Sequence, residues 1–173
     1  MEKNQPSLRP SLILKIAEIV STWFYVGKIR FAPGTWGTLA TVPFVVAFQS
    51  FGSILYMVCA FLILLAGIVF SDLYEKSKGD HDLSEIVIDE VAGYLIAMTM
   101  LPMTWQALTA GFIIFRFFDI LKPFPISWLD RKINGGLGVM VDDVAAGVVT
   151  NAILQFLYAN TAWLGVQLIQ INT

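Results

Sequence analysis

Residues 54–70 read ILYMVCAFLILLAGIVF, a run that contains no charged side chain. A transmembrane helix needs about 20 predominantly apolar residues to cross a hydrocarbon core of roughly 30 Å, and shorter runs suffice where the bilayer thins. The run therefore predicts a membrane-spanning helix. The rest of the chain shares its character, since 57% of the 173 residues are hydrophobic and only 14% are charged. This balance indicates an integral membrane protein.

Four further apolar segments surround this run. Gly52 and Ser53 predict a hairpin before it, and Pro102 predicts a break between two of the later segments. The segments are 36–51, 86–101, 105–118 and 144 to about 169. The last one carries Asn151 and Gln155, so we expect it to tilt or to end early.

The N-terminal segment 11–25 has apolar residues at helical spacing with Lys15 and Glu18 between them. It predicts an amphipathic helix, either on the membrane surface or packed like a helix of a soluble protein. No continuous apolar stretch suited to a cleaved signal peptide precedes it. We expect an all-α fold: a polytopic membrane helical bundle of four to five membrane-embedded helices plus this amphipathic helix, in a single domain over 1–173.

The charged residues fall on one side of this arrangement. If the five segments alternate across the membrane, every lysine and arginine lies at one face, which the positive-inside rule makes cytoplasmic. The acidic residues gather at the same face. The formal net charge of −2 argues against a general affinity for nucleic acid. Nothing in the sequence indicates a protein partner.

The stretch IVIDEVAGYLIAM (86–98) places Asp89 and Glu90 where an apolar segment begins. Ionisable groups at membrane depth are costly, so they should face a partner or a water-filled cavity. Further carboxylates, those of Asp119, Asp142 and Asp143, follow at the ends of other segments. Such a set of hard oxygen ligands suits Mg²⁺ shared with phosphate and water, and structural ion pairing explains it equally well.

Arg116, Asp119 and Lys122 follow one another at intervals of three residues, and share one face if the helix continues. Asp119 would then either be neutralised by the two cations or hold a metal while the cations receive phosphate. Pro123 ends the helix soon after Lys122 in either case.

Two weaker signals lie near the same face. In FAPGTWGT (31–38), Thr35 is a plausible helix N-cap beside Gly34, and helix N-termini bind phosphate readily, although Pro-Gly-Thr also forms ordinary turns. His81 is the sole histidine and lies between Asp80 and Asp82. It is either a proton carrier or an ordinary loop histidine.

Together, four motifs resemble the phosphatidylglycerophosphatase A family in order and spacing. They are FAPGTWGT, HDLSEIVIDEVAG, FRFFDILKPFPISWLD and GGLGVMVDDVAAG, between about 27 and 147. The resemblance implies a multi-pass protein of the bacterial cytoplasmic membrane. It also implies a Mg²⁺-dependent phosphatase that converts phosphatidylglycerophosphate, a lipid substrate, to phosphatidylglycerol and phosphate, with its active site facing the cytoplasm.

The resemblance also implies an acidic centre with two basic residues beside it. We expect Asp89, Glu90 and Asp143 to be catalytic. The expected metal ligands are Glu90, Asp119, Asp142 and Asp143, and the expected phosphate-binding residues are Arg116, Lys122, Thr35 and Gly34. The nucleophile is either a metal-oriented water or a carboxylate, Asp89 or Asp143, that would form an aspartyl phosphate.

Two other functions fit a membrane protein with acids at one face. A CDP-alcohol phosphatidyltransferase also uses carboxylates and a divalent metal, but its DGxxAR…GxxxDxxxD pattern is absent from this sequence. A small ion or solute transporter should carry polar groups through the bilayer, and segments 36–51 and 54–70 carry almost none.

Overall fold

The computed structural model describes residues 11–80, 83–124, 126–133 and 135–165. Within these residues the chain forms seven α-helices, one short 3-10 helix (Val26–Lys28) and no strand. The α-helices are α1 (Leu12–Ser21), α2 (Pro33–Ser50), α3 (Ser53–Lys78), α4 (Ile88–Ala97), α5 (Trp105–Leu121), α6 (Ile126–Lys132) and α7 (Gly136–Asn160). The all-α prediction is therefore confirmed.

Helices α2 and α3 form the expected hairpin. Gly52 joins them with φ +97°, a left-handed conformation that suits glycine. The 26 residues of α3 extend over about 39 Å at 1.5 Å per residue, which exceeds the thickness of a bilayer core. Among the described helices, α3 and α7 are long and apolar enough to cross a membrane.

Helix α4 is much shorter than the predicted segment 86–101. It has ten residues, about 15 Å of helix, and packs against α2, α3, α5 and α7. Seven of its ten residues are buried. It also approaches α7 unusually closely, because a Cβ on Gly147 would lie 2.3 Å from the carbonyl oxygen of Gly93. The short helix is thus enclosed by the longer ones.

Three side-chain amides close the C-terminal end of α4, and we call them the amide cap. Asn151 donates to the carbonyl oxygens of Ala97 and Thr99, each at 2.9 Å. Gln155 donates to Thr99 and Met100 at 3.1 and 3.2 Å, and Gln49 donates to Leu101 at 2.7 Å.

The last carbonyls of a helix have no partner within the helix, and such groups are costly in apolar surroundings. The amide cap supplies hydrogen-bond donors to these carbonyls at the end of α4 and in the turn that follows it. This explains why the helix ends at Ala97 although the apolar sequence continues.

Helix α7 begins earlier than expected. The sequence predicts an apolar segment that starts at residue 144, but α7 already begins at Gly136, so Asp142 and Asp143 lie inside a helix. Gly136 packs on the backbone of α3, since a Cβ there would lie 1.9 Å from the carbonyl oxygen of Ile68. The helix ends at Asn160, and residues 166–169 lie outside the described residues.

The predicted N-terminal helix forms, although it ends at Ser21 rather than near Tyr25. The chain leaves α1 through Trp23, Phe24 and Tyr25, which all have positive φ. Helix α1 packs against α3 and buries Ala17, whereas its other face exposes Leu12. Contact with a membrane surface stays a prediction.

Candidate active site

A cavity of about 650 Å³ lies where α2, α4 and α7 begin and α3 and α5 end. We call this end of the helix bundle the charged end. The walls of the cavity combine main chain, aliphatic side chains and ionisable groups. The ionisable lining residues are Glu75, Asp89, Glu90, Asp119, Lys122, Asp142 and Asp143. The structure thus brings all five predicted acids to one cavity.

Three of these acids lie especially close together. Asp89 and Glu90 in the first turn of α4 and Asp143 in α7 each offer an oxygen, and the three atoms lie within 4.8 Å of one another. Asp143 is only 3% exposed. Three carboxylates at this separation repel one another, and burial adds to the cost. The arrangement therefore favours a cation between them.

Arg116 contacts two acids from its position on α5. Its Nη1 lies 3.4 Å from Glu90 Oε1 and also pairs with Asp119. The three side chains are only 12–14% exposed, so solvent screens these pairs little. The predicted shared face of Arg116 and Asp119 is confirmed.

Lys122 is placed differently from the expectation. Helix α5 ends at Leu121, and Lys122 adopts a left-handed conformation with φ +41°, so it does not continue the helical face of Arg116 and Asp119. Its Nζ lies 2.5 Å from Asp142 Oδ2, across the cavity on α7. Lys122 therefore brings a positive charge to the acids of α7.

Gly34 lies directly against this ion-pair network. A Cβ there would lie 1.8 Å from Glu90 Oε1 and 2.9 Å from Arg116 Nη1, so only glycine fits without displacing them. The predicted N-cap role of Thr35 is wrong, because Ala32 is the N-cap of α2 and Pro33 begins the helix. Proline suits this first position because it lacks the N–H that would have no helical partner. Thr35 lies in the first turn of α2 and is not among the residues that line the cavity.

Glu75 is a lining residue that the sequence analysis did not assign to the site. It lies near the end of α3 and is 3% exposed. Gly67 and Ser71 are buried on the same helix at intervals of four residues, and this spacing is the signal that could have placed Glu75 on the inner face. His81, the predicted proton carrier, lies outside the described residues.

Fold and site together define a class: a helical bundle, with two helices long and apolar enough to cross a membrane, that has a cavity lined by carboxylates and Lys122 at one end. The sequence profile of the phosphatidylglycerophosphatase A family matches residues 19–158, which include every predicted site residue. The chain belongs to the phosphatidylglycerophosphatase A family.

Individual relatives agree with this assignment. The chain is 39% identical over 140 residues to phosphatidylglycerophosphatase A of Escherichia coli (strain K12), covering 80% of this chain and 81% of the relative. It is 39% identical over 150 residues to the Haemophilus influenzae enzyme of the same name, covering 86% and 91%.

A third relative carries a different name. The chain is 35% identical over 154 residues to a Bacteroides thetaiotaomicron protein provisionally named a phosphatidylinositol-3-phosphatase, covering 84% of this chain and 91% of the relative. No solved structure matches the chain.

Proposed function

We propose that this chain is a phosphatase that hydrolyses phosphatidylglycerophosphate to phosphatidylglycerol and inorganic phosphate, as part of phospholipid biosynthesis. The observation that carries the proposal is the cavity lined by Asp89, Glu90, Asp143 and Lys122, with Arg116 paired to Glu90 from α5. Family membership supplies the substrate, because two relatives bear the name of this activity. The comparisons favour neither a phosphatidyltransferase nor a transporter.

We also propose that the activity depends on Mg²⁺. Asp89, Glu90 and Asp143 offer the hard oxygen ligands that Mg²⁺ prefers. Glu90 fits this role further, because its Oε2 is buried without a hydrogen-bond partner among the described residues. Bound Mg²⁺ would neutralise developing charge and polarise the phosphoryl oxygens. Asp119 and Asp142, also predicted as ligands, contact Arg116 and Lys122 respectively.

The protein's own groups have separate tasks in this proposal. Arg116 and Lys122 stabilise the negative charge on the phosphoryl group while the bond from phosphorus to the glycerol oxygen breaks. Gly34 lets the side chains of Glu90 and Arg116 lie directly against the start of α2, because it has no Cβ to displace them. An acid of the Asp89, Glu90 and Asp143 cluster accepts the proton of an attacking water, or Asp89 or Asp143 attacks first and water then releases phosphate from the aspartyl phosphate. In either route a protonated acid of the cluster donates a proton to the departing glycerol oxygen.

For the topology, we propose a multi-pass protein whose charged end faces the cytoplasm of a bacterium. Helices α2, α3, α5 and α7 would cross the bilayer, and the short α4 together with the turn at 98–104 would lead the chain from the charged end back to the opposite face, where α5 begins. The 17 residues of α5 extend over about 26 Å, a length that slight thinning of the bilayer accommodates. The positive-inside rule supports this orientation, since the hairpin turn at 52–53 carries no lysine or arginine.

The test is release of inorganic phosphate from phosphatidylglycerophosphate by the purified chain in mixed micelles, with Mg²⁺ and after chelation. Phosphatidylinositol 3-phosphate and phosphatidic acid serve as competing substrates. We expect Mg²⁺-dependent release with the highest kcat/KM for phosphatidylglycerophosphate. Absence of release with every divalent metal would contradict a phosphatase, whereas a clear preference for the inositol lipid would contradict the substrate.

A further inference from the structure

A second, largely apolar groove lies beside the charged cavity. It has a volume of about 420 Å³ and lies between the part of α3 near the charged end and the start of α7. The residues that line it are Ile68, Val69, Asp72, Leu73, Gly135, Gly136 and Leu137. The proposed reaction leaves these side chains unused.

The groove and the cavity share one lining residue. Gly135 belongs to the walls of both spaces, and Asp72 of the groove lies beside it. The φ of +72° at Gly135 is a conformation that glycine adopts at no steric cost. The groove and the charged cavity are therefore adjacent, on the two sides of Gly135.

The groove also has the surface that a hydrocarbon chain would contact. Val69 and Leu137 stand on its two walls and are 54% and 50% exposed. At its polar rim Asp72 is paired with Lys76, with Lys76 Nζ 2.5 Å from Asp72 Oδ2. A lipid combines the same two features, a charged part next to an apolar part, since its charged headgroup adjoins apolar acyl chains.

Resting on the proposed function, we propose that this groove receives an acyl chain of the lipid substrate while the phosphorylated headgroup occupies the charged cavity. The adjacency at Gly135 makes a tethered chain the occupant that fits, because headgroup and acyl chain belong to one molecule and would occupy neighbouring spaces. Part of the substrate's binding energy is then obtained from a region remote from the reacting phosphate.

Filling the groove tests this assignment. We expect Val69→Trp and Leu137→Trp each to raise the KM for dipalmitoyl phosphatidylglycerophosphate at least tenfold. The kcat/KM for the water-soluble deacylated headgroup should change less than twofold. Val58→Trp is the matched control, because Val58 lies on the same helix α3 with 46% exposure, three turns from Val69. Equal losses on both substrates, or equal effects of Val58→Trp, would overturn the proposal.

A binding measurement separates this proposal from the proposed function, since it requires no turnover. Phosphatidic acid with a photoreactive group on one acyl chain is cross-linked to the wild-type protein, and phosphatidylcholine with the same chain is the control. We expect the phosphatidic acid to label residues 68–73 or 135–137 more strongly than the control. Equal labelling by both lipids, or occupation of the groove by a second copy of the chain, would overturn it.

Discussion

The two ends of α4 satisfy buried polar groups in different ways. At its C-terminal end, Asn151 and Gln155 of the amide cap donate hydrogen bonds to main-chain carbonyls within ordinary distances. At its N-terminal end, Asp89 and Glu90 approach Asp143 closely, and Glu90 Oε2 has no partner among the described residues.

The two ends of α4 differ in what their polar groups can contribute: hydrogen bonds that stabilise the fold at one end, and charge that can take part in a reaction at the other. In the amide cap, neutral amide donors are paired with neutral carbonyl acceptors, which lowers the free-energy cost of ending a helix inside an apolar bundle. These paired groups carry no charge that could take part in a reaction. Crowded carboxylates beside cations keep an uncompensated charge that a metal or a phosphate can use. We infer that one end of α4 is built for stability and the other for catalysis.

The largest expected effect is that of Asp143→Asn at the catalytic end. The change keeps the size of the side chain but removes a charge from the cluster of Asp89, Glu90 and Asp143. We expect phosphate release to fall by about a thousandfold or more, at the upper end of the loss seen when one group that stabilises charge is removed. Steady-state kinetics measure this, with membrane insertion as the control. Near-normal turnover would reduce Asp143 to a structural partner.

A smaller effect is expected for Lys122→Ala. This change removes the cation that contacts Asp142 across the cavity, so substrate binding or charge stabilisation should weaken and kcat/KM should fall about tenfold to a hundredfold. Lys28→Ala is the matched control, because Lys28 is exposed, pairs with Glu18 and lines neither the cavity nor the groove. If both variants keep the wild-type kcat/KM, Lys122 has no part in the site.

The smallest effect on activity is expected at the other end of α4. Asn151→Leu removes the donor to Ala97 and Thr99, which should lower the free energy of unfolding by about 1–2 kcal/mol while kcat changes less than threefold. Thermal unfolding in detergent measures the first quantity. Asn160→Leu is the control, since exposed Asn160 bonds only within α7 to Phe156 among the contacts described. Unchanged stability of the Asn151 variant would contradict a capping role.

The sequence predicted the catalytic end better than the structural end. Charged groups such as Asp89 and Glu90 are conspicuous in an apolar sequence because burying them is costly, so their grouping could be predicted. Asn151 and Gln155 looked instead like irregularities of a spanning segment. Their role depends on where α4 stops, and the apolar run 86–101 does not reveal that position.

Other differences have equally local causes. The start of α7 was placed too late because Gly136, which permits contact with α3, also resembles a loop residue. The contact between Lys122 and Asp142 depends on the left-handed end of α5, a backbone conformation that no side-chain spacing encodes. Glu75 was not assigned to the site because it lies close to a stretch rich in acids, in which one more acid is not conspicuous. Its buried position becomes apparent only from its spacing of four residues from the buried Ser71.

The most direct test places one substitution at each end of α4 and measures phosphate release at a temperature where both variants are folded. Asp89→Asn changes the catalytic end and Asn151→Leu the amide cap. We predict that Asp89→Asn loses nearly all hydrolysis of phosphatidylglycerophosphate at wild-type stability, and that Asn151→Leu retains its kcat. Full activity of Asp89→Asn, or equal losses in the two variants, would contradict the division of α4 into a catalytic and a structural end.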